Sequence, residues 1–596
     1  MHVARLTCAL LVSSLAIAVQ AQSVAPTTNS RPQPLDKSQQ ETIFRTTSSS
    51  VLVDVVVTSE GVAVHGIDPR QFHVYENGRE QQISFFDEHK PESSAEPAAP
   101  KHALPPHYYN NVPNHASGSA INVLLLDGLN TQAMDQAYVR KQMIAYVKTI
   151  TPGTILAIFT LSSRLRMVQG FTSSIDDLTK ALESTKTLPQ KSVELDTDAG
   201  NAFDSAIGNL GIMHTPTSSG AIESIERFQS DVVAMQSDRR VELTLKAMQQ
   251  LARYLSAVPG RKNLIWFSGS FPIALGPDAG DQSLQNVRSY GEQVRAASDL
   301  LAAARVAVYP VDARGMMTLT GFDAANNGLS TSNGGPGFAR MNATEMSGSA
   351  NSHFTMEQIA YDTGGRAFFN TNGFRAAIAS AIQNGESYYT IGYVPQSKNF
   401  DGDFRKIKVK LDNSKYDLEY RAGYYADPPE KTGSHLFNQA SLMTEATLHG
   451  APLATQILFQ TRILPATDPE FKEINFPTGP AGELSASLKS AHRYIVDLVV
   501  DPHTVIFDST SDGTRTDSIE FTLVAYDADG RRLNFIDRSI KLGMNPNQYA
   551  QLMKTGIPVR MALDLPAGEQ SLRITVHDIP AARFGSLEIP LSVDRN

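Results

Sequence analysis

The 596-residue chain has one cysteine, Cys8, and it lies inside the apolar N-terminal stretch MHVARLTCALLVSSLAIAVQAQS. Too little apolar sequence precedes it for a lipoprotein cysteine, and removal of that stretch leaves no thiol, which excludes disulfides. Stability outside the cytoplasm must then come from large cores. No later run is apolar for the roughly 20 residues that a membrane-spanning helix needs. Positive charge is also in deficit: 61 acidic against 52 basic residues give a net charge of -9 and a pI near 5.9, so nothing electrostatic points to nucleic acid. Absent too are a His-Glu-x-x-His helix, a phosphate-cradling Gly-rich loop and a paired-cysteine metal motif, and none of the 14 histidines has a near partner at metal-ligand spacing. What remains is an ordinary globular composition, 41% hydrophobic and 19% charged.

At roughly 150 residues per domain the length implies about three or four domains. Arg5, the apolar run from Leu6 to Val19, and the small residues Val19 and Ala21 read as a secretory signal cleaved after Ala21. The expectation is an exported protein, periplasmic or extracellular, with a signal peptide at 1–21, a linker at 22–41 and no integral membrane segment after cleavage. Residues 42–89 alternate short β-rich runs with turn signals, of which Asn77-Gly78 between HVYE and REQQISFF is a strong hairpin signal. A Pro/Ala/Ser/His-rich connector follows at 90–118.

From residue 119 to 385 the texture becomes α/β. INVLLLD, TILAIFTLS, RLRMVQ, KNLIWFS, VAVYPVD and RAFFN read as strands, mostly of the kind buried on both faces of a parallel sheet. Helices are predicted over 132–149, 174–184, 238–257, 285–304, 354–362 and 373–384, the first with Met134, Ala137, Tyr138, Ile144 and Val147 at helical spacing. The long insertions 186–230 and 315–352, rich in Gly, Ser, Asn and Thr, read as disordered. Residues 386–426 return to β patterning, and 440–596 carry strands at the spacing of a β-sandwich. Neither 42–89 nor 386–426 has enough strands to close a core alone, so together they are expected to form one split β-sandwich with the α/β domain inserted.

An exported α/β domain that begins with an apolar strand, an aspartate and hydroxyl-bearing residues resembles a von Willebrand factor type A domain. The flanks VDVVV…DPRQFHVYENGREQQISFF and YYTIGYVP…DGDFRKIKVKL…YRAGYYA are similar to the type A-related proteins abundant in Acidobacteria, over roughly residues 45–426. The resemblance implies a doubly wound α/β fold with a metal-ion-dependent adhesion site at the C-terminal edge of the sheet, built from Asp-x-Ser-x-Ser, a threonine from a second loop and an aspartate after the fourth strand. Those oxygen donors suit Mg²⁺, with a partner's carboxylate filling the open position.

Here that pattern is broken. Asp127 matches the first position and Thr131 the fifth, but Leu129 stands at the third and offers no oxygen. Where Asp-Gly would follow the fourth strand, the chain reads Trp266-Phe267-Ser268-Gly269, and no second-loop threonine can be placed. Asn130 has a carbonyl oxygen to offer and Asp312 closes the next strand, yet neither restores the set. The candidate metal residues are therefore Asp127, Asn130, Thr131 and Ser268, in a degenerate site where Mg²⁺ would bind weakly; no other cofactor is expected. The reading preferred over a working metal site is structural: Asp127 is a remnant that accepts from loop amides, while Asn130 or Thr131 caps the next helix. Function reads first as a non-enzymatic protein-binding or adhesion protein, its partner a protein of unknown identity. A structural component of an envelope assembly is the alternative, and a serine hydrolase using Ser268 is disfavoured, since a nucleophile elbow needs Gly where Trp266 stands.

Overall fold

The computed structural model describes residues 51–90, 104–112, 121–184, 216–256, 258, 260–271, 290–315, 336–369, 373–397, 401–426, 439–472, 474, 479–485, 491–510 and 513–594. The expected signal peptide and the linker at 22–41 lie outside them. The described chain is mixed α/β, with strands in the majority.

Strand Val51–Ser59 is apolar at alternate positions and finds its partner across the sequence, in Tyr388–Tyr393. Ile83–His89, Asp417–Glu419 and Val62–Ala63 complete that sheet. A second sheet runs Gly423–Tyr425, Phe404–Leu411, Phe72–Glu76, Arg79–Gln81. Along Phe404–Leu411, Arg405, Ile407 and Val409 point inward while the residues between them face water, the period-2 pattern of a half-buried strand. Asn77 and Gly78 join their hairpin at φ 46° and 82°, the left-handed pair that a two-residue loop requires. Both sheets bury Val53, Val55, Phe72, Val74, Ile391, Tyr393 and Ile407 in one core.

The central sheet has the order Val306–Asp312, Lys262–Ser268, Ile121–Asp127, Ile155–Leu161, Leu165–Thr172, parallel except for the last strand. Its three strands INVLLLD, KNLIWFS and VAVYPVD are buried at every position because helices cover both faces. Pro216–Leu255, Gly291–Ala303 and Pro336–Thr363 pack on one face, and Ala133–Val147, Ile175–Glu183 and Phe374–Glu386 on the other.

Four expectations are corrected. The stripe that Ala133–Val147 buries is Gln136, Val139, Met143, Tyr146 and Val147, while Met134 and Tyr138 are exposed; two apolar stripes compete on this helix, and the sheet takes the one continued by Ile150. Residues 216–230 and 336–352, read as disordered, belong to helices that open on a proline, which suits the first helical position. The described residues of RAFFN, 366–369, make no strand and one parallel bridge, Phe368 to Val311. Within the connector at 90–118, Tyr108–Asn110 forms an edge strand against Phe459–Pro465, and three residues are too few to display a period.

That edge belongs to the third unit. One sheet runs Ile557–Leu565, His492–Val500, Phe459–Pro465, Tyr108–Asn110; the other runs Asp508–Ser509, Arg515–Tyr526, Gly568–Asp578, Arg583–Val593, with Arg532–Met544 also on Arg515–Tyr526. They share one apolar core from Ile457 to Val593. At its rim Asp517 is buried, and neither of its carboxylate oxygens makes a hydrogen bond of good geometry. Burial first, then the charge of Asp578, pushes its carboxyl up to about 7 against a pull from the Ser518 amide.

The units are tied by polar contacts. Asp54 accepts from Arg305 Nε at 2.9 Å and from Thr390 Oγ1 at 2.9 Å, and Arg305 Nη2 also bonds it. Burial pushes Asp54 up, but the charge and hydrogen bonds of Arg305 more than offset this and leave it below the usual carboxylate range. The third unit meets the end of Pro216–Leu255, where Thr455 Oγ1 donates to Tyr254 O at 2.8 Å and Lys246 pairs with Glu445 at 3.2 Å.

Two outcomes follow. Residues 40–90 expressed alone should show no cooperative thermal transition by circular dichroism, because their strands pair with 388–425; a sharp transition would contradict this. For Asp517 the folded pKa is raised, so stability is highest below the unfolded value of about 4, falls as pH climbs toward 7, and stays low above. Asp517→Asn should flatten that pH dependence and raise the melting temperature at pH 8, and an unchanged pH profile of urea unfolding would count against it.

Candidate functional site

Three neighbouring strands of the central sheet end side by side. In register, Phe267 lies opposite Leu126 and Ser268 opposite Asp312, so Asp127, Ser268 and Asp312 line up along the C-terminal edge. Doubly connected parallel sheets hold their ligands at this edge. All of the candidate residues Asp127, Asn130, Thr131 and Ser268 are buried.

Asp127 is the centre of a hydrogen-bond network. Its Oδ1 accepts from the backbone N–H of Leu129 at 3.1 Å and of Asn130 at 3.0 Å, closing the turn on itself. Its Oδ2 accepts from Asn130 Nδ2 at 2.9 Å, Trp266 Nε1 at 3.1 Å and Ser268 Oγ at 2.9 Å. Asn130 Nδ2 also reaches Thr244 Oγ1 at 2.9 Å, and that hydroxyl donates to Arg240 O at 2.8 Å. Burial pushes the Asp127 carboxyl up, and the donors from Asn130, Ser268 and Trp266 pull the other way.

Thr131 belongs to the same cluster but does not touch Asp127. Its Oγ1 accepts from Gly269 N at 2.8 Å, stitching the first loop to the one after Lys262–Ser268. A side chain at Gly269 would come within 3.1 Å of Asn130 O, so the two loops are in close approach. The capping expectation is corrected here. Helix Ala133–Val147 starts at Gln132 with no side-chain cap, and Gln136 instead donates Nε2 to Thr131 O at 2.7 Å and Gly128 O at 3.1 Å. The turn is held by a side chain from the helix's own first turn.

Asp312 is spent elsewhere. It pairs with Arg314 at 2.7 Å and with His353 Nε2 at 2.8 Å, whose ring stacks on Phe369 at 4.1 Å between centroids. Burial raises Asp312, but the bonds from His353 and Arg314 leave it below the usual range.

This donor set does not match Mg²⁺. The ion needs octahedral oxygen ligands and relies on carboxylates, whereas both oxygens of Asp127 are occupied by N–H and O–H donors, Leu129 is an apolar core residue, and Ser268 brings no charge. Asn130 Oδ1 is the one buried oxygen here without a partner, and it is neutral. Among the described residues no group of three His, Cys, Asp or Glu is placed to hold a metal. Nor does Ser268 suit nucleophilic attack: it is fully buried, and its hydroxyl lies against Asp127 and, at 2.7 Å, Ser270 O.

Thr244 and Trp266 were the parts hidden from sequence reasoning. Trp266 lies two residues before Ser268 on a strand, hence on the same face, and that period could have placed its N–H beside Asp127. Nothing in the sequence marks Thr244.

No family model matches the chain, and no curated protein matches it. Among solved structures, weak similarity is found to an aerotolerance-related membrane protein from Bacteroides fragilis, at 12% identity over 44% of this chain and 98% of that one, with a TM-score of 0.21. A von Willebrand factor type A protein from Catenulispora acidiphila matches at 8% identity over 80% of this chain and 67% of that one, TM-score 0.19. The PilB minor pilin from Streptococcus sanguinis matches at 8% identity over 46% and 62%, TM-score 0.22. Similarity this low fixes neither fold nor function, and it lends no support to the acidobacterial resemblance.

Removing single donors should grade the network. Trp266→Phe loses one hydrogen bond and part of a fully buried indole, an expected cost of about 2 kcal/mol. Asp127→Ala strips the acceptor from five donors and should cost about 3 kcal/mol or more. Urea unfolding of both variants measures this, and equal costs would contradict the network.

Proposed function

We propose that the chain is an exported, non-enzymatic protein-binding protein. Its central unit is a doubly wound, type A-like domain set into a small β-sandwich formed by residues 42–89 and 386–426, and a second β-sandwich follows from 440. The adhesion-type metal site has become a structural joint. The observation that carries this reading is the five-donor shell on Asp127, in which an indole N–H and a serine hydroxyl serve where a working site would keep a lone pair for the ion.

The loops of the C-terminal sheet edge would then meet a protein partner directly. Met134, 78% exposed, and Tyr138 stand on the first turns of the helix leaving the Asp127 loop and give that edge apolar groups. Methionine adapts its shape to varied protein surfaces. Among the described residues no helix is long and apolar enough to cross a membrane.

Two measurements test the proposal. Millimolar Mg²⁺ should leave the melting temperature unmoved, whereas an ion at about 100 times its Kd would add roughly 2.7 kcal/mol. Capture of partners from envelope extracts should persist in EDTA and fall in Met134→Asp. Tight Mg²⁺ binding that Asp127→Ala abolishes would make the domain a working metal-dependent adhesion module instead.

A further inference from the structure

A cavity of about 340 Å³ opens at the seam between the central unit and the first β unit, far in sequence from the Asp127 loop. This is within the size range of small-molecule sites, which favour domain seams. Helix Gly291–Ala303 contributes Arg295, helix Pro336–Thr363 contributes Tyr361 and Asp362, and strand Phe404–Leu411 contributes Phe404 and Lys406, with Tyr425 closing one side.

Its walls have a definite chemistry. Tyr361 is 54% exposed and Phe404 37%, with the Phe404 ring 4.9 Å from that of Tyr425, so large apolar side chains are partly open to solvent here. The Arg295 guanidinium lies over the Tyr425 ring, 4.5 Å from its centroid. That contact holds the guanidinium at the cavity wall, and its fork of N–H donors suits a planar acid in bidentate fashion. Neither Arg295 nor Lys406 has an ion-pair partner among the described residues, although both line the same space. Asp362 is the acidic member, and its Oδ1 is engaged by Gln358 Nε2 at 2.8 Å.

We propose that this cavity binds a carboxylate carried on an aromatic or other flat apolar body, the carboxylate on Arg295 and Lys406 and the body against Tyr361 and Phe404. Two cations against one acid select an anion. Asp362 sets its charge: burial first, against the Gln358 bond and the Arg295 charge, pushes this carboxyl up to about 6. Ionised, it repels the ligand and disfavours a dianion such as phosphate; protonated, it becomes a hydrogen-bond donor to the ligand. The charged groups lining the cavity with it are Arg295 and Lys406. A free aromatic acid and the C-terminal carboxylate of a peptide ending in an aromatic residue share this chemistry. The inference does not rest on the adhesion-type reading.

Isothermal titration of the full chain with phenylacetate, phenylacetamide, inorganic phosphate, and Ala-Ala-Phe with a free or an amidated C-terminus tests it. Phenylacetate or the free peptide should bind at least tenfold more tightly than its neutral amide, and the tighter of the two names the source. Arg295→Gln, at an exposed position where folding should survive, should weaken the acid tenfold or more. Affinity should rise as pH falls from 8 to 6, and Asp362→Asn should abolish that rise. The proposal is overturned if neither acid binds, if acid and amide bind alike, if phosphate binds best, or if Arg295→Gln, folded by circular dichroism, binds as before.

Discussion

The antiparallel ladder that joins Val51–Val55 to Tyr389–Tyr393 is the constraint on which the first two units depend. It brings together residues such as Asp54 and Thr390, 336 positions apart, and makes the central unit a closed insertion between two strands of one sheet. The entropy of closing so long a loop grows only logarithmically with its length, so the ladder is affordable once the inserted unit folds by itself. Arg305, just before the edge strand Val306–Asp312 of the central sheet, then reaches Asp54 across the seam. The bottom of the parallel sheet is thereby clamped to the flanking sheet, and its upper edge is left for loops.

At that upper edge the same economy of buried polar groups recurs. A carboxylate at the end of a buried strand must be satisfied, and Asp127 is satisfied by two amides of its own turn, one amide side chain, one indole and one hydroxyl. The indole matters because it comes from a core residue: Trp266 is fully buried and packs edge-on against Phe271 at 5.0 Å. The joint between the loops is thus continuous with the hydrophobic core beneath it.

Much of this was legible in the sequence. INVLLLD, KNLIWFS and VAVYPVD are mostly apolar and buried at every position because both faces are covered, and Asn77-Gly78 announces its hairpin through backbone conformation alone. Asp127 is visible as an acid ending such a strand. Less legible were features decided by tertiary choice. Ala133–Val147 carries two apolar stripes, and only docking on the sheet selects Val139, Met143 and Tyr146 over Met134 and Tyr138. Thr244 approaches Asn130 from a helix 114 positions away, a contact that no local pattern encodes.

The short strand Tyr108–Asn110 bears on the order in which the chain can assemble. It leaves the first unit and completes a sheet of the third, and Asn111 beside it accepts from Phe459 N, 348 positions downstream. At roughly 5–20 residues per second of synthesis, those partners emerge on the order of twenty seconds to a minute later. Throughout that interval the whole central unit can form while this edge has nothing to pair with. The last unit to be made is therefore the one that fastens a connector made before the central unit, and a chain halted before residue 459 would carry that strand unmated.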